Sequence, residues 1–92
     1  MYGTIAKMKA KKGALDQLHK MDTRPQPAGF VKSYVFQSDV DPDELWLVAI
    51  FKDKASYTAN AASPEQDKEF RALMEFLKSE PEWHDGEVVV SS

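Results

Sequence analysis

Residues 45–51, with the sequence LWLVAIF, are apolar at every position. The run is much shorter than the roughly 20 residues that a membrane-spanning helix needs, but it has the usual length of a β-strand. Successive side chains of a strand point to opposite faces of the sheet. One row therefore holds Leu45, Leu47, Ala49 and Phe51, and the other holds Trp46, Val48 and Ile50. Both faces of the sheet must be shielded from water at this strand.

The neighbouring segments predict the other strands and the helices. Residues 2–8 and 30–38 are rich in β-branched and aromatic side chains, and residues 87–90 (EVVV) resemble a last strand. The helical spacing of Leu15, Leu18 and Met21 predicts a short helix over residues 14–21. A second apolar stripe predicts another helix, which ends before Pro81. This stripe consists of Phe70, Leu73, Met74 and Leu77.

The order of these elements is βαββαβ, which indicates an α+β, ferredoxin-like domain with an antiparallel sheet. We expect residues 1–92 to form one domain, because no linker, repeat or low-complexity segment interrupts them. Asp85-Gly86 is expected to turn the chain, with His84 in that turn.

A Ser63-Pro64 break divides the helical region that follows the apolar strand. Ser63 suits an N-cap, Pro64 suits the first helical position, and Gln66 suits the third position of a capping box. The break thus predicts a short helix over about residues 53–61 and a new helix that starts at Ser63.

Two helices packed on a four-stranded sheet cover only one of its faces. Leaving either row of residues 45–51 exposed would forgo several kcal/mol at about 25 cal/mol per Å² of apolar surface. Two sheets packed face to face around a two-fold axis would cover both rows, so we predict a homodimer. Helices packed around the ends of the strand are the alternative.

The composition of the chain limits which partners and cofactors we expect. The net charge of −3 argues against nucleic acid as a partner. The chain has no cysteine, which excludes disulfides and thiolate ligands, and its two histidines form no recognisable metal motif. We expect no metal and no other cofactor. The start of the sequence shows no signal-peptide pattern, and we expect a cytoplasmic protein that does not associate with membranes.

Several segments together resemble the antibiotic biosynthesis monooxygenase-like family of the dimeric α+β barrel superfamily. They are residues 51–70 (FKDKASYTANAASPEQDKEF), residues 80–89 (EPEWHDGEVV), Lys12-Gly13, and residues 27–30 (PAGF). The resemblance implies a ferredoxin-like protomer whose sheet pairs with its twin to close a barrel, with a pocket between sheet and helices. Members of the family include oxygenases that oxidise phenols or quinols without metal or flavin, haem-degrading enzymes, and proteins with no assigned role.

The haem-degrading branch has three residues that this chain replaces. That branch aligns with this chain at Lys12-Gly13 and at the helix after strand three. Its pocket asparagine then falls at Ala6, its tryptophan at Asn60 and its haem-ligating histidine at Phe70. Because phenylalanine cannot ligate iron, we predict no haem degradation by that mechanism. Haem binding without turnover stays open.

The oxygenase branch often carries a ligand-facing Asn, His or Trp on the helix after strand three, where this chain has Tyr57 and Asn60. These two share a helix face and would position a substrate, while His19 is the candidate base. Tyr34 and Trp46 could line a pocket for a flat aromatic molecule.

Each candidate also has a structural interpretation. Asn60 could bond backbone at the helix end, Tyr57 could be an aromatic at the edge of the core, and His19 could lie at the core boundary without a ligand. Tyr34 and Trp46 could simply pack in the core or in a dimer interface. Arg71 could meet a ligand oxygen or an acidic neighbour.

Two functions follow from these residues. The first is a cofactor-independent monooxygenase that oxidises a phenolic or quinol-like small molecule with O₂. The second is a non-catalytic dimeric module that binds a small ligand or serves assembly. An enzyme should have a deep pocket with a titratable group, whereas a structural dimer should fill that space with side chains.

Overall fold

The computed structural model describes residues 1–23 and 25–92. Its strands are β1 (Tyr2–Lys9), β2 (Phe30–Gln37), β3 (Glu44–Phe51) and β4 (Glu82–Glu87). Its helices are α1 (Ala14–Asp22), α2 (Lys54–Ala61) and α3 (Pro64–Met74). The strands form one antiparallel sheet in the order β2-β3-β1-β4. The predicted ferredoxin-like order is confirmed, with the second helical region divided into α2 and α3.

The apolar strand β3 pairs on both sides. Leu47 lies opposite Ala6 of β1 and Val35 of β2. Since paired residues share a face of an antiparallel sheet, the register separates the two rows of β3. The row with Leu45 and Phe51 faces the helices.

The core lies between this face and the helices. Met8 of β1 and Leu45 of β3 are fully buried and pack with Leu18 of α1 and Leu73 of α3. Leu77, just beyond α3, completes the cluster and forms an isolated bridge with Ala10. Leu18 and Leu73 of the predicted stripes therefore lie in the core, whereas Leu15 is 40% exposed and Leu77 lies beyond the end of α3 rather than within the predicted helix.

The predicted helix boundary at Ser63 is confirmed. The N–H of Gln66 donates to Ser63 Oγ at 3.1 Å, and Pro64 occupies the first turn of α3. The preceding helix has its own cap, because the N–H of Ser56 donates to Asp53 Oδ1 at 2.8 Å. Side-chain caps thus set the first turns of both helices.

The predicted last strand was wrong. Strand β4 comprises Glu82–Glu87 rather than residues 87–90, so His84 lies in a strand and Asp85-Gly86 does not turn the chain. Backbone pairing with β1, from Tyr2 opposite Glu87 to Lys7 opposite Glu82, outweighs the low β-propensity of this polar segment. Beyond it, the N–H of Val88 donates to the Met1 carbonyl.

In the described part of the chain, no helix packs on the second face of the sheet. The register places on it Ile5, Tyr34, Phe36, Trp46, Val48 and Ile50, together with Lys7, Lys32, Glu82 and His84. Ile5 is 47% exposed, Tyr34 50% and Phe36 58%. We call this surface the open face. Within residues 1–23 and 25–92, no helix has the length and apolar composition to cross a membrane.

Candidate functional site

A cavity of about 330 Å³ lies between the helix-covered face of the sheet and helices α1 and α3. We call it the main cavity. Its walls are largely apolar and include two aromatic pairs. The rings of Phe30 and Phe51 are 5.7 Å apart between centroids, and those of Phe70 and Trp83 are 5.8 Å apart. Edge-on and tilted rings of this kind suit a flat apolar ligand.

The position of the cavity follows from where the helices pack. Leu18 and Leu73 lie over the buried end of the sheet, against Met8 and Leu45. Towards β2 the helices leave space above the middle of β3, where the small side chain of Ala49 lies on the cavity wall. The helix-facing row of β3 therefore contributes both to the core and to the cavity wall.

Among the residues that the structure describes, seven polar ones line the main cavity. They are His19, Asp22, Gln26, Ser33, Tyr34, Asn60 and Gln66. Ser33, Asn60 and Gln66 are half-buried, and Asn60 Nδ2 donates to Gln66 Oε1 at 3.4 Å. We call these two side chains the amide pair. A carboxamide offers both donors and acceptors, so this pair can hydrogen-bond a hydroxyl or carbonyl oxygen.

The Ser63-Pro64 break brings the amide pair together. Asn60 lies in the last turn of α2, and its carbonyl accepts the Ser63 N–H at 3.0 Å. Ser63 in turn caps the first turn of α3, which contains Gln66. The sequence identified Gln66 only as a capping residue, and its place in the cavity was missed. The sequence signal for this contact is that Asn60 and Gln66 lie six residues apart, on either side of the N-cap Ser63.

Two more of the sequence candidates border the main cavity. His19 is exposed on α1, and Asp22, which lies one turn further along this helix, also lines the cavity. Tyr34 belongs to the open face by register but borders the cavity at the β2 edge of the sheet. The structure thus brings His19, Tyr34 and Asn60 to one cavity.

Tyr57 lies outside the main cavity. Its ring contacts those of Tyr2 and Phe51, at centroid distances of 5.2 and 5.7 Å. Its hydroxyl donates to Asp85 Oδ1 at 2.9 Å. Burial, followed by the bond to Asp85, raises the pKa of Tyr57 to about 12. The phenol therefore stays protonated at neutral pH and links α2 to β4.

Trp46 and Arg71 also lie away from the main cavity. Trp46 is on the open face, where its indole N–H donates to Glu44 Oε2 at 3.1 Å and the Lys7 ammonium lies 5.5 Å from its ring centroid. Arg71 is exposed and pairs with Asp67, one turn earlier in α3, at 2.9 Å. Arg71 therefore meets an acidic neighbour, the alternative that its position in the sequence left open.

Solved structures resemble this chain closely in fold. A proposed antibiotic biosynthesis monooxygenase from Chloroflexus aurantiacus is 22% identical and superposes with a TM-score of 0.79, over 99% of this chain and 95% of that chain. A conserved protein from Methanosarcina mazei is 20% identical, with a TM-score of 0.80 over 92% of this chain and 89% of that chain.

A third similar structure is a variant of SnoaB, a cofactor-independent oxygenase from Streptomyces nogalater, in which one asparagine is replaced by alanine. It is 11% identical, with a TM-score of 0.80 over 98% of this chain and 94% of that chain. No protein-family profile and no curated protein sequence matches the chain. The likenesses confirm the resemblance to antibiotic biosynthesis monooxygenase-like proteins at the level of the fold.

The Tyr57–Asp85 contact predicts a pH-dependent stability difference. Tyr57→Phe keeps the ring contacts but loses the hydrogen bond, so we expect the free energy of unfolding to fall by about 1 kcal/mol at pH 7. The folded-state pKa of Tyr57 lies above the ordinary value of 10. The advantage of the wild type should therefore be complete below pH 10 and disappear as the pH rises through about 12.

Urea unfolding of both proteins between pH 7 and pH 12 measures this difference. Tyr34→Phe is the control, because Tyr34 is on the open face and half of it is exposed. A difference between the wild type and Tyr57→Phe that does not shrink at high pH would contradict the role assigned to the hydroxyl.

Proposed function

We propose that the protein binds a flat phenolic or quinol-like molecule in the main cavity and oxidises it with O₂ without a cofactor. The main cavity carries this proposal, because it combines two aromatic pairs with a half-buried amide pair. An apolar wall holds the ring system, and the amides hold its oxygen.

The proposed reaction requires few functional groups from the protein. An electron-rich phenol or enol loses a proton, and its anion reacts with O₂. For an anthrone-like substrate, the ring CH₂ and O₂ give a ring carbonyl and one water, which balances the reaction. The protein must accept the proton, stabilise negative charge on the substrate oxygen and exclude competing water.

Residues at the main cavity can fill these roles. The donor groups of Asn60 and Gln66 would stabilise the developing oxyanion. His19, at the cavity edge, would accept the proton, since a neutral imidazole nitrogen can act as a general base. SnoaB, a cofactor-independent oxygenase, shares the fold, and this likeness supports the proposed class of reaction.

A second function is favoured by one observation. The half-buried polar groups of the main cavity include the amide pair, which cannot take a proton, while His19 is exposed. A cavity with these properties also suits a non-catalytic module that binds an aromatic ligand. The two functions share the cavity and differ only in turnover.

Oxygen uptake with anthrone tests the proposal. Chelator-treated wild-type protein should consume O₂ faster than buffer. Asn60→Ala should lower kcat/KM by about 10-fold, the effect of one lost hydrogen bond. His19→Ala should lower it by about 100-fold if the imidazole is the general base.

Arg71→Ala is the matched control, because Arg71 lies on α3 but does not line the main cavity. Its rate should equal that of the wild type. If folded wild-type protein shows no uptake above buffer, the oxygenase proposal fails, and binding of anthraquinone would then support the binding module.

We also propose that two chains pair through their open faces. This face exposes Ile5, Tyr34 and Phe36, each by about half. It also carries the remaining row of β3, with Trp46 at its centre between Lys7 and Phe36 in the register. An apolar patch that crosses three strands is typical of a protein–protein contact, and a second copy would bury the row that the sequence requires to be covered.

Sedimentation equilibrium tests the pairing. The wild type should have twice the mass of one chain, and Phe36→Lys should shift it towards the monomer, because a buried lysine without a partner is costly. Val40→Lys is the control, since Val40 is 93% exposed in the loop between β2 and β3. A wild type that stays monomeric, or a Phe36→Lys variant that stays fully dimeric, would contradict the proposal.

A further inference from the structure

A second cavity of about 330 Å³ lies on the outer side of α2. We call it the outer pocket. The loop between α1 and β2 supplies Pro25 and Ala28 to its wall, α2 supplies Ser56 and Ala59, and the start of α3 supplies Glu65. Nothing in the proposed reaction uses this space.

The outer pocket adjoins the main cavity. Asn60 and Pro27 line both spaces. The bond from Asn60 Nδ2 to Gln66 Oε1 is 3.4 Å long, near the upper limit for a hydrogen bond and therefore weak. The Asn60 amide can thus turn towards a ligand at the junction of the two spaces at little cost.

The two spaces both combine polar with apolar groups, but they differ in aromatic content. The main cavity has its two aromatic pairs, whereas the outer pocket has the hydroxyls of Ser56 and Ser63 and the carboxylate of Glu65. Ser63 Oγ already accepts one backbone N–H, and a hydroxyl has a further acceptor site and a donor. The outer pocket therefore suits a group that both donates and accepts hydrogen bonds.

The loop wall of the outer pocket is held in place. The N–H of Lys52 donates to the Gly29 carbonyl at 2.7 Å, and the N–H of Phe30 donates to the Pro27 carbonyl at 3.2 Å. Gly29 has a φ of 82° and packs so closely on Ser56 that a Cβ there would clash with it. This close contact fixes residues 27–30 against α2, so this part of the pocket wall has a defined position.

We propose that the outer pocket is a second part of the binding site and takes a hydroxyl- or amine-bearing side chain of the ligand. The flat ring system occupies the main cavity, and the side chain passes Asn60. This inference rests on the proposed ligand class and narrows it to fused aromatic rings that carry a polar side chain.

Binding of substituted anthraquinones tests the inference. The probes are 1-(methylamino)-, 1-(butylamino)- and 1-(4-hydroxybutylamino)anthraquinone, and the readout is quenching of Trp83 fluorescence in a Trp46→Phe background. The chain has two tryptophans, and of these Trp83 lines the main cavity. The hydroxybutyl compound should bind about 10-fold more tightly than the other two, as one or two added hydrogen bonds would give.

Ala59→Leu fills the outer pocket and should reduce this preference to about 1-fold while leaving the affinity for the methyl compound unchanged. Ala61→Leu is the matched control, because Ala61 is exposed on the same helix and lines neither space. It should keep the 10-fold preference. Equal affinities in the wild type, or a preference that survives Ala59→Leu, would overturn the inference.

Oxygen uptake, measured separately, distinguishes this inference from the proposed reaction. A preference that Ala59→Leu abolishes, in a protein that does not consume O₂, supports the outer pocket and overturns the oxygenase. Turnover of anthrone without any preference among the three probes overturns the outer pocket alone. Failure to bind any of the probes overturns the outer pocket together with the aromatic ligand.

Discussion

The pairing of β3 with both β1 and β2 is the constraint on which the rest of the structure depends. Its register aligns Leu47 with Ala6 and Val35, and so sends one apolar row of β3 to the helices and the other to the open face. A shift by one residue would exchange the rows and place Trp46 in the core. The main cavity and the exposed aromatic surface are consequences of the same register.

The site depends on a second local feature, the Ser63-Pro64 break. A continuous helix would place side chains six residues apart on different faces. Instead, α2 ends at its C-cap Ala62, Ser63 is extended and caps the start of α3, and the amide pair of Asn60 and Gln66 forms across the junction. The sequence feature that begins a helix therefore also supplies the polar groups of the cavity.

Features with a local physical cause could be predicted from the sequence. The apolar run of β3, the stripe of α1 and the cap at Ser63 each depend on nearby residues, and all were found. Strand β4 could not be located from its composition. The segment EWHDGE is polar and has low β-propensity, so nothing in its own residues indicates the long-range pairing with β1.

The same distinction applies to the candidate site. Asn60 was identified from the family resemblance, which implies a ligand-facing residue on the helix after strand three, and Gln66 was missed as a site residue because its contact crosses a helix boundary. Tyr57 shares a helix with Asn60, but its hydroxyl reaches Asp85, a partner 28 residues away that the sequence could not specify. Roles for His19, Tyr34 and Asn60 in binding or catalysis stay predictions.

We propose that the main cavity binds a flat aromatic molecule, and a titration of ¹⁵N-labelled protein with anthraquinone-2-sulfonate, followed by the two tryptophan indole resonances, tests this binding. Trp83 lines the main cavity and Trp46 lies on the open face. We expect a saturable shift of the Trp83 indole N–H with little change at Trp46. A shift confined to Trp46, or none at Trp83 at saturating ligand, would show that the main cavity does not bind the ligand.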